Sequence, residues 1–263
     1  MGGTLDTTHS VLLHSRPVKS RCLLWEPSKS AMLSHMRILA LETTETVGSV
    51  AALADGNLLA ELSLGHTQRS AQSLAPTMLA LLKQVGWLPG DVQLVAVSVG
   101  PGSFTGLRIG VTTAKVFAYS VGADILGVDT LETIAAAAPD DVTEVSAVMD
   151  AQRGEVVARR FARRSDGWLE PLGPEKLLDV ETWLMELPAG VAVTGPVLGK
   201  LADRLPSHVR ALEPHYWLPR ASVVARLAAR DHSLGRRDDL WKLVPHYFRR
   251  SAAEEKWDAR ETR

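Results

Sequence analysis

The chain is poor in cysteine, has no excess of charge of either sign and contains no long apolar run. Its single cysteine, Cys22, excludes an internal disulfide and a cysteine-rich metal site, which is typical of a reducing compartment. A formal net charge of −1 gives no overall positive field to attract a phosphate backbone. No run reaches the roughly 18–20 apolar residues that a membrane span needs. We therefore expect a cytoplasmic protein that contacts no membrane and does not bind nucleic acid by itself.

The chain does have enough apolar material for a substantial core. Its 263 residues are 46% hydrophobic, which suits one large domain or two modest ones. Residues 1–35 mix serine, histidine, proline and basic residues, and their one short apolar patch is too brief for a signal peptide. We expect this segment to be a disordered extension, or an upstream start that the mature protein does not use.

The order of predicted elements is similar in the two halves of the chain after residue 35. In the first half, a three-strand meander at 37–63 precedes an alternation of helix and strand. The second half repeats this order more weakly between residues 145 and 205. The same layout, used twice, occurs in the actin-like, sugar kinase and Hsp70-type ATPases. We predict an α/β, actin-like (ASKHA, ribonuclease H-like) fold with one lobe at 36–137 and a smaller lobe with a charged tail at 138–263.

A glycine-rich turn, from Gly100 to Gly106, joins a buried strand to the helix predicted at 105–120. Such a turn can hold phosphate at a helix N-terminus. A dinucleotide fingerprint would require glycine where Thr105 stands, although Asp129 ends the next strand at about the distance of a ribose-binding acid. We favour the interpretation that the glycines shape a tight turn and let the helix pack closely. The alternative is a dinucleotide-binding enzyme that uses the Gly100–Gly106 loop.

Two predicted helices, at 68–85 and 105–120, are apolar on more than one face. Four small residues recur at every fourth position of the second helix: Gly106, Gly110, Ala114 and Ala118. Such a stripe lets another helix approach closely, and Val116 and Tyr119 outside it are apolar as well. The pattern fits burial of a second helix face against another chain. It fits equally well a helix pair that is buried within this protein.

The partner-interface candidates on these helices and on the turn are Ala71, Leu74, Met78, Gly102, Phe104, Thr105, Gly106, Arg108, Gly110, Ala114 and Ala118. We expect a bulky residue at Gly110 to block assembly and to leave the monomer folded.

The turns that would hold ATP in an actin-like ATPase lack the necessary residues. Such enzymes use an acidic residue and a glycine-containing turn after the first strand of each lobe. The first turn here, Glu42–Glu45, has no glycine, and the second has Asp150 without a glycine-rich cradle. The histidines form no recognisable metal-ligand pattern. We therefore expect no catalytic residue, no nucleotide cofactor and no metal.

Four sequence motifs point to one family. The most specific is GPGSFTGLRIG at Gly100–Gly110, and RILALETT at 37–44, MDAQRGEV at Met149–Val156 and VPHYFRRSAAEEK at Val244–Lys256 support it. With these motifs the chain resembles the TsaB (YeaZ) family, the actin-like subunit of the bacterial machinery that makes tRNA threonylcarbamoyladenosine. The chain departs from the family pattern at Glu42, where the family usually has Asp, and just after His66.

The resemblance implies a non-catalytic scaffold with protein partners. It would pair with TsaD, the related catalytic subunit, and the ATPase TsaE would join the pair. The two helices would form the pairing surface, and without the partner the same surface would support a homodimer. The resemblance implies no cofactor, and tRNA would be reached only through the complex.

Overall fold

The computed structural model describes residues 36–65 and 70–248, with only the backbone of Ser70 and Ala71. The predicted extension at 1–35, the tail at 249–263 and His66 lie outside the described residues. The described chain is a mixed α/β structure with two sheets, as predicted. None of its described helices is long and apolar enough to cross a membrane.

The first sheet has the order β3-β2-β1-β4-β5. Its strands are β1 (Arg37–Glu42), β2 (Ser49–Ala54), β3 (Asn57–Ser63), β4 (Leu94–Gly100) and β5 (Asp124–Asp129). The first three strands form the predicted antiparallel meander, and β4 and β5 add in parallel. Asp55 and Gly56 both adopt positive φ between β2 and β3, which a two-residue hairpin turn requires.

Helices cover both faces of the first sheet. The predicted pair, α1 (Ser70–Gln84) and α2 (Phe104–Val121), packs on one face, with α1 over β2 and β3 and α2 over β4. The sequence did not predict the helix on the other face, Ala221–Ser233, which packs on β1 and β2. It lies in the range predicted as the second lobe, and it buries apolar surface that the first sheet would otherwise expose. The lobe boundary at residues 137 and 138 stays a prediction.

The second sheet repeats the order of the first. Its strands are β6 (Glu144–Gln152), β7 (Glu155–Arg163), β8 (Leu169–Pro171), β9 (Lys176–Asp179), β10 (Ala192–Thr194) and β11 (Arg210–Ala211). From β8 the order is β8-β7-β6-β10-β11, antiparallel to β6 and parallel beyond it, and the unpredicted β9 also pairs with β7. The remaining helices are α3 (Thr130–Ala135), α4 (Val180–Glu186) and α5 (Leu198–Leu201), and α6 is Ala221–Ser233. The repeated meander and alternation predicted from the sequence is confirmed.

Candidate partner-binding surface and the glycine-rich turn

The glycines of α2 let the turn after β1 lie directly on the helix. Thr43 Oγ1 donates a hydrogen bond to the carbonyl oxygen of Gly106 at 2.8 Å. A Cβ added at Gly106 would lie 1.9 Å from the carbonyl oxygen of Thr43, and one at Gly110 would lie 2.2 Å from Thr43 Oγ1. No side chain fits at that approach. The predicted close packing is therefore present, and the element that approaches the helix is a turn of the same chain.

The N-terminus of α2 is occupied by the protein itself. The backbone N–H of Ser103 donates to the carbonyl oxygen of Thr44 at 2.8 Å, and Ser103 Oγ accepts from the N–H of Gly106 at 3.3 Å. A Cβ added at Gly102 would lie 2.4 Å from the Cβ of Thr44, so the turn has no room for a phosphate beside Thr44. This geometry disfavours the dinucleotide-binding alternative.

Asp129 caps a helix. Its Oδ1 accepts a hydrogen bond from the backbone N–H of Glu132 at 2.8 Å at the start of α3. Burial is the largest cause that raises the pKa of Asp129 to about 6, against the lowering effects of that hydrogen bond and of Arg159. Asp129 is half-buried, and one of its two carboxyl oxygens is used by the cap, so its place at the end of β5 is explained without a ribose.

Glu42, at the end of β1, is fully buried and its carboxyl group is engaged inside the protein. Its Oε1 accepts from the backbone N–H and the hydroxyl of Thr44, both at 2.5 Å, and its Oε2 accepts from the hydroxyl of Ser98. Burial raises the pKa of Glu42, and these hydrogen bonds lower it only in part.

A second carboxyl group, that of Glu45 in the turn after β1, lies near Asp150 in the last part of β6. Burial and the neighbouring carboxyl groups of Glu42 and Asp150 raise the pKa of Glu45 to about 7. Asp150 itself pairs with Lys200, whose Nζ lies 2.7 Å from its Oδ2. Within residues 36–65 and 70–248, no three His, Cys, Asp or Glu side chains come together in a group that could hold a metal ion.

The small-residue stripe of α2 faces the protein's own interior, which corrects its interpretation as a contact for another helix. The buried interface candidates are Leu74, Met78, Gly106, Gly110, Ala114 and Ala118. They pack toward the first sheet because small residues also suit a helix that lies close to a sheet and a turn. A bulky residue at Gly110 would meet Thr43, so in place of a normally folded monomer we expect it to destabilise the monomer.

The other interface candidates are more accessible. Gly102, Thr105 and Arg108 are exposed, and Phe104 is half-buried. At Ala71 only the backbone of α1 is described. As candidates for a partner contact, these five residues stay predictions.

The helices α1 and α2 contact each other, and each exposes apolar side chains, with Lys83 and Arg108 exposed elsewhere on the same helices. The surface of interest is the uncharged part. It consists of Ala75, Pro76, Leu79, Ala80, Thr112, Val116 and Tyr119, here named the helix-pair surface. The side chains of Leu79, Val116 and Tyr119 are 61%, 64% and 69% exposed. None of the seven residues is charged. The sequence signal for this surface was the apolar character of Val116 and Tyr119 outside the small-residue stripe.

A segment that sequence reasoning missed, residues 236–248, lies along β5 and α2 and is here named the C-terminal strap. Asp238 Oδ2 accepts from the backbone N–H of Gly127 at 2.8 Å, which covers part of the free edge of β5. His246 N–H donates to the carbonyl oxygen of Val99 at 2.6 Å. The signal for this segment was the motif that starts at Val244, for which no structural role was predicted.

Two sheets of the same order, each an antiparallel meander extended by parallel strands, define an actin-like fold of the ASKHA type. Within that fold, the N-terminus of α2 contacts the turn after β1, and Glu42 at the end of β1 is buried.

Comparisons with known proteins agree with this class. The chain is similar to the tRNA threonylcarbamoyladenosine biosynthesis protein TsaB of Bacillus subtilis (strain 168), with 30% identity over 233 residues, 84% of this chain and 98% of the relative. It is 37% identical to TsaB of Escherichia coli (strain K12) over 137 residues, 50% of this chain and 58% of that protein. The structure of YeaZ from Pseudomonas aeruginosa superposes with a TM-score of 0.71 at 27% identity, covering 81% of this chain and 100% of the other.

A family model described as TsaD, tRNA N6-adenosine threonylcarbamoyltransferase, matches residues 65–204. That match covers the middle of the chain, whereas the similarity to TsaB extends over nearly the whole relative. The chain belongs to the TsaB (YeaZ) family.

Proposed function

We propose that this chain takes part in the biosynthesis of tRNA threonylcarbamoyladenosine as a non-catalytic scaffold subunit. It pairs with a TsaD-type catalytic subunit through the helix-pair surface, and a TsaE-type ATPase joins the pair. In the absence of the catalytic subunit the same surface forms a homodimer. Contact with tRNA is made through the complex. The family of the chain supports the pathway, and the helix-pair surface supports the scaffold role.

The observation that carries the proposal is the exposure of three large apolar side chains on two adjacent helices. Leu79 of α1 and Val116 and Tyr119 of α2 are each more than 60% exposed. Contiguous apolar surface that is exposed on a monomer marks an interaction site. Covering this surface with a partner is favourable by about 25 cal/mol for each Å² of apolar area removed from water. A second pair of helices is a suitable cover for such a face.

The hydrogen bonds that the carboxyl groups of Glu42 and Asp129 make within the protein support the non-catalytic part of the proposal. Glu42 holds the turn after β1 together, and Asp129 caps α3. Glu42 is fully buried, and one carboxyl oxygen of Asp129 is used by the cap. The chemistry is therefore assigned to the partner, and this chain supplies the surface that holds it.

The test is complex formation with the TsaD-type protein from the same source, followed by light scattering on a size-exclusion column. We expect the unmodified chain to form a stable mixed complex at the expense of any homodimer. Val116→Asp places a charge in the helix-pair surface and should abolish the complex and the homodimer. Met185→Asp is the matched control, because Met185 is 79% exposed on α4 beside the second sheet.

Thermal melting of both variants is the check that each is folded. If Val116→Asp still binds the TsaD-type protein as tightly as Met185→Asp does, the helix-pair surface is not the pairing surface. If the unmodified chain does not bind even with the TsaE-type protein and nucleotide present, the scaffold proposal fails.

A further inference from the structure

Arg108, one turn into α2, is held in a fixed orientation by two aromatic rings. Its guanidinium carbon lies 4.1 Å from the centre of the Phe104 ring. Its Nε donates a hydrogen bond to the hydroxyl of Tyr247 at 3.2 Å, and the rings of Phe104 and Tyr247 are 4.6 Å apart. Tyr247 belongs to the C-terminal strap, so the strap and the helix together orient this side chain.

The two terminal nitrogens of the Arg108 guanidinium group make no hydrogen bond to a residue in the described part of the chain. Arg108 is exposed, and no described carboxylate lies within 4 Å of it. Its only hydrogen bond to a described residue is the one from Nε to Tyr247. An arginine held this way presents a planar pair of N–H donors, which matches the two oxygens of a carboxylate or phosphate.

The strap lies beside α2 on the side away from α1. Lys115 Nζ donates to the carbonyl oxygens of Trp241 at 3.3 Å and of Leu243 at 3.0 Å. The rings of Tyr119 and Trp241 meet edge to face at 5.6 Å. The helix α1 covers β2 and β3, α2 covers β4, and the strap follows β5. The strap is therefore the third segment in this layer, next to α2.

The strap adds apolar surface that is continuous with the helix-pair surface. Trp241 is 72% exposed and Val244 is 65% exposed, and Trp241 contacts Tyr119, which is a member of the helix-pair surface. Large aromatic residues and arginine are the residues that contribute most at protein interfaces. Arg108 lies at one end of the surface formed by the helix pair and the strap, and Trp241 lies near the other end.

We propose that the C-terminal strap is part of the partner interface, and that Arg108 binds a carboxylate of an Asp or Glu side chain on the partner protein. The inference rests on the function proposed above. A protein carboxylate is favoured over an RNA phosphate because the side chains around Arg108 are aromatic and a phosphate-binding surface would carry several unpaired cations. The cations of the strap are paired with acidic residues of the chain itself: Arg236 with Asp231 and Asp238, Arg237 with Asp124, and Lys242 with Asp239. Arg108 then fixes the position of the partner along α2, and Trp241 contributes buried area.

The proposal is tested by titration calorimetry of the full chain with the same partner protein. Arg108→Gln keeps a polar, unbranched side chain and removes the charge and the guanidinium group, and we expect the affinity to fall at least tenfold. Arg108→Lys keeps the charge without the planar pair of donors, and we expect a smaller loss. Arg226→Gln is the matched control, because Arg226 is exposed on α6, which covers the opposite face of the first sheet. It should change the affinity less than about twofold.

A second pair of variants tests the strap. Trp241→Ala should weaken binding about tenfold, and Met185→Ala, at another highly exposed apolar position, should have no effect. If Arg108→Gln binds as tightly as Arg226→Gln while Val116→Asp still abolishes the complex, the inference is overturned and the proposed function stands. If the unmodified chain does not bind the partner, the inference fails together with the function.

If Arg108 binds a different ligand, an RNA phosphate or a carboxylate of the chain's own tail, the binding experiments give different results. If Arg108→Gln weakens tRNA binding by the assembled complex and leaves the protein affinity unchanged, its ligand is a phosphate and the inference is wrong. Glu254 and Glu255 of the chain's own tail are the other source of carboxylates. If deletion of residues 249–263 makes the partner affinity insensitive to Arg108→Gln, the tail is the ligand and the inference is again wrong.

Discussion

Replacement of Gly110 by alanine tests the contact between the turn after β1 and α2. The added Cβ would lie 2.2 Å from Thr43 Oγ1 and 3.5 Å from the Cγ2 of Val97. An ordinary contact needs more than 3 Å, so Thr43 must rotate or the helix must shift by roughly 1 Å. Rotation of Thr43 also breaks its buried hydrogen bond to Gly106. The change therefore combines overpacking with the loss of a hydrogen bond.

The expected loss of stability follows from these two effects. Overpacking typically costs about 1–3 kcal/mol, and a lost buried hydrogen bond costs about 0.5–1.5 kcal/mol. The better helix propensity of alanine returns about 1 kcal/mol. We expect Gly110→Ala to lower the free energy of unfolding by about 1–3 kcal/mol, measured by urea denaturation. Gly199→Ala is the control, because a Cβ at Gly199 meets nothing within 4 Å.

A double-mutant cycle identifies the clash. Thr43→Ala removes the hydroxyl group that the new Cβ would meet, so in that background Gly110→Ala should cost at least 1 kcal/mol less. At the same time, folded Gly110→Ala protein should keep its affinity for the partner, since Gly110 is buried on the inner side of α2. If Gly110→Ala is as stable as Gly199→Ala, or if it folds normally and loses the partner, the assignment of the glycine stripe to the protein's own core is refuted.

Further predictions concern two acidic residues. The pKa of Glu45 is raised to about 7 in the folded protein, above its value of about 4.3 in the unfolded chain. Because the folded state holds this proton more tightly, the free energy of unfolding should fall as the pH rises from about 4 to 7. Glu45→Gln should flatten that part of the curve of unfolding free energy against pH, and Asp203→Asn, at an exposed position, should leave it unchanged. Asp238→Ala removes the acceptor for the N–H of Gly127, so this amide should exchange at least tenfold faster in hydrogen-exchange NMR, whereas Asp203→Ala should not alter its rate.

Local periodicity was sufficient for most elements of the fold. The strands of the two meanders, the helices α1 and α2 and the repeated order of the halves lie where the pattern predicts them. Contacts between distant segments were not encoded in this way. The helix α6 returns to the first sheet after the second sheet is complete, and the strap reaches β5 and α2 from more than a hundred residues away. Such contacts depend on which apolar surface is left uncovered, and no local pattern records that.

By itself, the sequence determined the α/β class, the repeated meander, the family signature from Gly100 to Gly110 and the absence of a glycine from Glu42–Glu45. Only the tertiary structure decided which side of α2 faces inward. A helix with apolar or small residues on every side has no polar face to orient it, so its periodicity fits two orientations. The turn at Thr43 occupies the side of Gly106 and Gly110, because only a surface without side chains admits it so closely. That contact leaves Val116 and Tyr119 on the outside.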